Sequence, residues 1–140
     1  MKATPRAILM DAPLQPRPLV LVVDEDARSA SLLARLLDAD GYDTEVARDG
    51  AAALARLARQ PSPHAVVTDF HLLHADGLAV GRYARFRRPD VALFVVTGYP
   101  HALTEALEPL EAPIEVLTKP LDYANLLTRL ATAVAAQVAR

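Results

Sequence analysis

The chain has 140 residues, 52% of them hydrophobic, which suits one domain with a sizeable core. Its formal net charge of −2 provides no basic field, so we expect no direct binding to nucleic acid. The absence of cysteine excludes a disulfide framework and thiolate metal sites. No apolar run is long enough for a secretory signal or a membrane span, so we expect no membrane insertion and a cytoplasmic protein.

The first part of the chain predicts an arm, a buried strand and a helix. Residues 1–18 contain four prolines and no sustained period, which predicts a loose N-terminal arm ahead of a domain over residues 19–140. The sequence leaves three alternatives for this arm: packing on the domain, disorder, or contact with a partner. The aliphatic run from Leu19 to Val23 is typical of a strand buried on both faces, and three acidic residues close it. A first helix then runs to about Asp40 and stops at Gly41. Its core positions are Ala30, Leu33, Ala34 and Leu37.

The middle of the chain predicts two further strands, each followed by a helix. Residues 44–47 form a short strand whose polar content is typical of a sheet edge. Asp49 is the expected N-cap of the second helix, and its core face is Ala51, Leu54, Ala55 and Ala58. Residues 65–68 form the third strand, which ends at Asp69. Asp76-Gly77 indicates a turn in which glycine supplies a positive φ. The third helix has Leu78, Tyr83 and Phe86 as core contacts and a solvated end made of Arg82, Arg85, Arg87 and Arg88.

The last part of the chain completes an alternating pattern. A fourth strand over residues 91–96 ends in Thr97, a short helix spans residues 101–107, and a fifth strand over residues 114–117 precedes Lys119. Asp122 caps a last helix whose core stripe is Leu127, Leu130, Val134 and Val138. Five strands alternating with five helices predict a doubly wound α/β fold, with a parallel sheet covered on both faces.

Polar side chains follow four of the five predicted strands. They are Asp24, Glu25, Asp69, Thr97 and Lys119. The carboxyl ends of parallel strands meet at one edge of the sheet, where ligands bind. Three carboxylates there repel one another unless a cation intervenes, and without His or Cys at zinc spacing we expect Mg²⁺. A divalent cation, an ammonium and a hydroxyl suit a transferring phosphoryl group, and a carboxylate acceptor would give an aspartyl phosphate.

Four motifs, in order along the chain, resemble the receiver domain of bacterial two-component response regulators. They are the segments LVVDED at 21–26, VVTD at 66–69 with the Asp-Gly pair at 76–77, VVTG at 95–98, and TKP at 118–120. The resemblance covers roughly Leu19 to Arg140. It implies a flavodoxin-like (βα)5 fold with strand order 2-1-3-4-5, acting as a signalling module and not as an enzyme.

The resemblance also implies roles for individual residues. Asp69 would be phosphorylated by a sensor histidine kinase or a phosphotransfer protein. The implied Mg²⁺ ligands are Asp24, Glu25, Asp69 and the main-chain carbonyl of His71, whereas the side chains of His71 and His74 are interpreted as solvated. Thr97 and Lys119 would bind the phosphoryl oxygens, and the Lys119–Pro120 bond would be cis. Output would come from a downstream protein target, from onward phosphotransfer or from a homodimer.

The chain departs from the family pattern near the expected site. Glu25 stands where aspartate is usual, which leaves Asp26 open as the alternative ligand. Further departures are Leu73 at a position that favours proline, Val116 at the aromatic switch position, and His71 and Tyr99 at positions that tune phosphoryl lifetime. Because Val116 has no ring to rotate, any switch is expected to rest on Thr97 and on movement of the segment from Gly98 to Leu107, with Tyr99 as the aromatic residue that could substitute.

Two rival functions use the same residues. In a phosphatase similar to haloacid dehalogenases, Asp24 would be the nucleophile and Asp26 the general acid, although the chain is short for that fold and lacks a cap domain. A degenerate receiver would serve only as a protein-interaction module. Labelling with a small phosphodonor and Mg²⁺ separates these functions, because it reports which aspartate, if any, is modified.

Overall fold

The computed structural model describes residues 16–101 and 114–138. Its five strands are β1 (Leu19–Val23), β2 (Asp43–Ala47), β3 (Ala65–Asp69), β4 (Ala92–Thr97) and β5 (Glu115–Thr118). They form one parallel sheet in the order β2-β1-β3-β4-β5, which confirms the predicted fold. The helices of this described part are α1 (Ala27–Ala39), α2 (Gly50–Leu57), α3 (Gly77–Arg87) and α4 (Tyr123–Val138). The helix expected over residues 101–107 lies, after its first residue, outside the described part.

The strand register brings the carboxyl ends of four strands to one edge. Val23 of β1 pairs with Thr68 of β3, so Asp24 and Asp69 follow neighbouring positions. Thr97 of β4 pairs with Thr118 of β5, immediately before Lys119. β2 lies at the edge of the sheet beside β1, as its polar content predicted.

Alternating side chains of β1 pack into two separate hydrophobic clusters. Successive residues of a strand face opposite sides, and in β1 both sides are buried. Val20 and Val22 pack in a cluster with residues of α1 and α4, including Leu37 and Leu126. Leu21 packs in the second cluster with residues of α2 and α3. Because both faces of β1 are buried in this way, all of its residues are aliphatic. No helix in the described residues is long and apolar enough to cross a bilayer.

Aspartates begin the helices next to the functional edge. Asp26 accepts hydrogen bonds from the backbone N–H groups of the first turn of α1, and Asp49 does so for α2, as predicted. Asp76 caps α3 in the same way, and the side chain of Asp122 accepts from the N–H of Asn125 at the start of α4. Each cap satisfies a donor that has no partner within the helix, so these carboxylates fix where each loop becomes a helix.

The predicted core face of α2 is wrong. Ala53 and Leu57 are buried in the structure, together with Gly50 and Arg56, whereas the predicted face of Ala51, Leu54, Ala55 and Ala58 is exposed or half-buried. Nearly every residue of this helix is apolar, so its sequence does not distinguish one face from another. Tertiary contacts determine which face is buried, because Arg56 forms an ion pair with Glu45 and donates to the carbonyl of Pro61.

Two other predicted core residues are exposed. Phe86 of α3 is 78% exposed and stacks against Tyr83, while Ala84 is buried instead. A helical residue turns about 100° from its neighbour, so Phe86 lies on the opposite side from Ala84. In α4, Leu126 belongs to the core and Val138 is exposed. The inward position of the last turn is taken by Gln137, whose amide donates to the carbonyls of residues 64 and 90.

Several arginines are tied to the fold and not solvated as expected. Arg85 donates to the carbonyl of Val91, Arg87 to that of Ala58, and Arg88 forms an ion pair with Asp90. Only the fourth member of the predicted group, Arg82, is exposed. Arg17 is likewise bound to carbonyls of residues 38 and 42, so the described end of the arm, residues 16–18, is not loose.

Candidate functional site

A cavity of about 530 Å³ lies at the carboxyl edge of the sheet. Five residues predicted to form the site line it: Asp24, Glu25, Asp69, His71 and Lys119; the alternative ligand Asp26 lines it as well. Thr97 does not line it, because its side chain is buried behind the edge and only 1% exposed. The structure therefore brings together the predicted carboxylates and the ammonium, with the hydroxyl beside them.

Asp69 lies at the centre of the charged groups. Its side chain is 13% exposed, and the Asp24 carboxyl lies beside it. Burial and the Asp24 carboxyl raise the pKa of Asp69 to about 6, while Lys119 opposes the rise. Two carboxyls in contact hold both charges only if a cation approaches them. The pair is therefore suited to bind a positive charge.

Lys119 provides one such charge. Its Nζ lies 3.2 Å from Oδ1 of Asp69, and half of its side chain is exposed. The backbone N–H of Lys119 donates to the carbonyl of Thr97 over 2.9 Å, which continues the ladder between β4 and β5. The Lys119–Pro120 bond is cis, as predicted. The position of Lys119 at the end of β5 thus brings the ammonium beside the Asp69 carboxylate.

The expected switch residues differ in their contacts. Oγ1 of Thr97 accepts the backbone N–H of Tyr99 over 3.0 Å, so these two residues are directly linked. The Tyr99 side chain is 71% exposed, and its ring lies edge-to-face with that of His71, with 6.3 Å between centroids. Val116 instead packs against a small cluster of Leu78 and Val95.

Glu25 lines the cavity, but its carboxylate binds elsewhere. Oε2 of Glu25 accepts the backbone N–H of Leu73 over 2.5 Å. The alternative ligand, Asp26, caps α1, and hydrogen bonds from the N–H groups of Arg28 and Ser29 lower its pKa. Accordingly, the described residues contain no group of three His, Cys, Asp or Glu side chains arranged to hold a metal. The Asp24–Asp69 pair still fits Mg²⁺, which proteins commonly bind through one or two carboxylates, with waters and phosphate oxygens completing the shell.

Gly77 is required for a reason that the sequence did not reveal. A Cβ at this position would overlap the backbone of Asp69 and Phe70, so only glycine lets α3 begin this close to the end of β3. The prediction of a positive φ at Gly77 is wrong. The residue of this loop that has a positive φ is His74, with φ of 74°. The Asp-Gly pair marked the right place, but the close approach depends on the tertiary structure.

The chain belongs to the response regulator receiver domain family, whose model matches residues 20–131. Receiver domains are signalling modules of two-component systems, and their general function is to accept a phosphoryl group and to interact with histidine kinases or phosphotransfer proteins and with downstream targets.

Individual relatives agree with this assignment. The chain is 34% identical to the acid tolerance regulatory protein ActR of Sinorhizobium medicae over 92% of its own length and 68% of that protein. It is 36% identical to the response regulator MprA of Mycobacterium sp. strain KMS over 79% of its own length and 48% of that protein. The chain thus spans about half to two thirds of the length of these curated relatives. The signal receiver domain of an HD domain-containing protein from Pseudomonas fluorescens Pf-5 superposes with a TM-score of 0.76 at 30% identity, covering 91% of this chain and 94% of that one.

Proposed function

We propose that the protein accepts a phosphoryl group on Asp69 from the phosphohistidine of a sensor histidine kinase or a phosphotransfer protein, with Mg²⁺ as cofactor. Phosphorylation then controls the binding of a downstream protein target, onward phosphotransfer or the formation of a homodimer. The observation that carries the proposal is the position of Asp69, whose carboxylate contacts both Asp24 and Lys119 on a wall of the cavity.

The chemistry requires an ionised acceptor. With its pKa near 6, Asp69 is mostly a carboxylate at neutral pH, and the Lys119 ammonium favours that form. One Asp69 oxygen forms a bond to phosphorus while the P–N bond of the donor breaks and its electron pair returns to the imidazole. Mg²⁺, when bound, neutralises charge on the phosphoryl oxygens. Asp24 and Asp69 are its proposed carboxylate ligands, together with Glu25 and the His71 carbonyl.

Lys119 and Thr97 have proposed roles once the phosphoryl group is attached. The Lys119 ammonium, already 3.2 Å from Asp69, pairs with a phosphoryl oxygen. The Thr97 oxygen accepts the N–H of Tyr99, which leaves the hydroxyl proton for another phosphoryl oxygen. A shift of Thr97 toward the phosphoryl group would therefore pull on the backbone at Tyr99, which makes this contact the proposed start of the signal.

An apolar face beside the cavity is the proposed docking surface for the phosphodonor protein. Leu32 of α1 is 53% exposed and lines the cavity together with Leu36, Pro120 and Leu121. This apolar face adjoins Asp69, so a partner bound to it can present a phosphohistidine to the cavity. Exposed apolar groups next to a charged cavity are typical of a protein contact.

The test is the mass of the intact protein after incubation with acetyl phosphate and Mg²⁺. Wild type should gain one phosphoryl group, and Asp69→Asn should gain none. Asp49→Asn is the matched control, because asparagine caps a helix as well as aspartate and Asp49 does not line the cavity, so its labelling should match wild type. Labelling that is lost in Asp24→Asn but kept in Asp69→Asn would favour the phosphatase, and no labelling of wild type would favour a pure interaction module.

A further inference from the structure

Leu73 ties the middle of the loop between β3 and α3, residues 70–76, to two other segments of the chain. The N–H of Leu73 donates to the Glu25 carboxylate over 2.5 Å, and the carbonyl of Leu73 accepts the N–H of Gly50 over 3.0 Å. Both peptide groups of Leu73 are therefore used to hold the loop against the end of β1 and the start of α2. A Cβ at Gly50 would overlap Ala75, so the loop also packs tightly against α2.

Glu25 belongs to this loop anchor and to the acidic cavity at the same time. It lines the cavity with Asp24 and Asp69, and its main-chain carbonyl accepts two hydrogen bonds from the guanidinium of Arg48, at 2.6 and 3.2 Å. These bonds fix the backbone of Glu25 and leave the side chain to turn about its own torsions. Its carboxylate can thus make either of two contacts: it can accept the N–H of Leu73, or it can bind a cation at the Asp24–Asp69 pair.

We propose that Glu25 positions the β3–α3 loop through the N–H of Leu73 in the metal-free protein and gives up this contact when a divalent cation binds. Cation binding then weakens the contact between Glu25 and Leu73, and this contact lowers the affinity for the cation by the same factor, as linkage requires. The inference rests on the cation site of the proposed function, but not on phosphorylation. Glu25 acts here as a positioning residue, through the loop that follows Asp69.

The chain carries both groups that this competition needs. A proline at position 73 would have no N–H to donate, and an aspartate at position 25 would be one methylene shorter. The bond from the Leu73 amide to the Glu25 carboxylate is charge-assisted and therefore stronger than one to a neutral acceptor, so its loss is measurable at the Leu73 amide.

The first experiment follows the Leu73 amide proton by NMR during titration of the ¹⁵N-labelled full chain with Mg²⁺. In wild type, we expect an upfield shift and faster hydrogen exchange as the site fills. Glu25→Gln is the matched control, because its amide oxygen still accepts from Leu73 but carries no charge for the cation. Its Leu73 amide should remain hydrogen-bonded when Mg²⁺ saturates the Asp24–Asp69 pair.

The second experiment measures Mg²⁺ affinity by calorimetry. Leu73→Pro releases Glu25 and should bind Mg²⁺ more tightly by about tenfold, the ratio that corresponds to one charge-assisted hydrogen bond. Leu73→Ala keeps the N–H and should match wild type. If Leu73→Pro lacks a cooperative thermal transition, the comparison with Glu25→Gln decides alone.

The outcomes separate this inference from the proposed function. Saturable Mg²⁺ binding with an unchanged Leu73 amide overturns the inference and leaves the cation site standing, and so does an equal response in Glu25→Gln. A folded Leu73→Pro whose affinity equals that of Leu73→Ala also overturns it. No saturable Mg²⁺ binding at all would remove the cation site of the proposed function and this inference with it.

Discussion

Replacing Asp69 by asparagine is expected to stabilise the metal-free protein at neutral pH. Burial and the neighbouring Asp24 carboxyl raise the pKa of Asp69 from 3.8 to about 6. A shift of about two pKa units corresponds to about 3 kcal/mol between the protonated and ionised forms. Because solvent enters the open side of the cavity and screens these charges, we expect about 1–2 kcal/mol of added stability in Asp69→Asn.

The gain should depend on pH with a defined sign. A carboxyl whose pKa is raised on folding contributes stability that is fully present below pH 3.8 and is lost as the pH rises through about 6. Asparagine is neutral throughout, so the difference between Asp69→Asn and wild type should be small near pH 4 and largest above pH 7.

Urea unfolding at several pH values, with a chelator present, measures this difference. Asp38→Asn is the control, since Asp38 is exposed and lies outside the cavity. Added Mg²⁺ should stabilise wild type and reduce the advantage of Asp69→Asn, because the cation binds the ionised pair. A variant Asp69→Asn that is no more stable than wild type at pH 7, or whose gain in stability is the same at pH 4 as at pH 7, would contradict this prediction.

Three further predictions concern other parts of the molecule. Burial lowers the pKa of His64, whose Nδ1 accepts the N–H of Leu19. The free energy of unfolding should therefore decrease as the pH is lowered below 6.5, and His64→Asn should remove this acid dependence in urea unfolding. Leu32→Glu should slow phosphotransfer from a phosphorylated kinase at least tenfold and leave labelling by acetyl phosphate unchanged, whereas Phe86→Glu, at a more exposed position away from the cavity, should affect neither. Thr97→Ala should abolish the effect of beryllofluoride on hydrogen exchange at Tyr99, while Val116→Ala should preserve that effect and lower stability by about 1–3 kcal/mol.

The sheet and the members of the cavity were predictable because both follow from one regular pattern. Aliphatic runs at βα spacing defined the strands, and parallel strands bring their carboxyl ends together. Asp24, Asp69 and Lys119 could therefore be grouped before any contact was known, and the structure places all three around one cavity. The cis bond at Lys119 was likewise implied by the family resemblance.

The remaining features depend on tertiary contacts that the local sequence does not encode. The face of α2 follows from the ion pair of Arg56 and not from its uniformly apolar residues. The glycine at position 77 is needed because another backbone passes close by, and not for its φ. The position of the Glu25 carboxylate depends on a backbone N–H forty-eight residues away in the chain, which no periodicity or motif reveals.

The site of phosphorylation can be read directly by chemical trapping. Protein treated with acetyl phosphate and Mg²⁺ is reduced with borohydride, which converts the acyl phosphate of an aspartate into homoserine, and its peptides are then sequenced by mass spectrometry. We predict homoserine at residue 69 and at no other aspartate. Homoserine at residue 24, or none at residue 69 in a sample whose intact mass shows the added phosphoryl group, would contradict it.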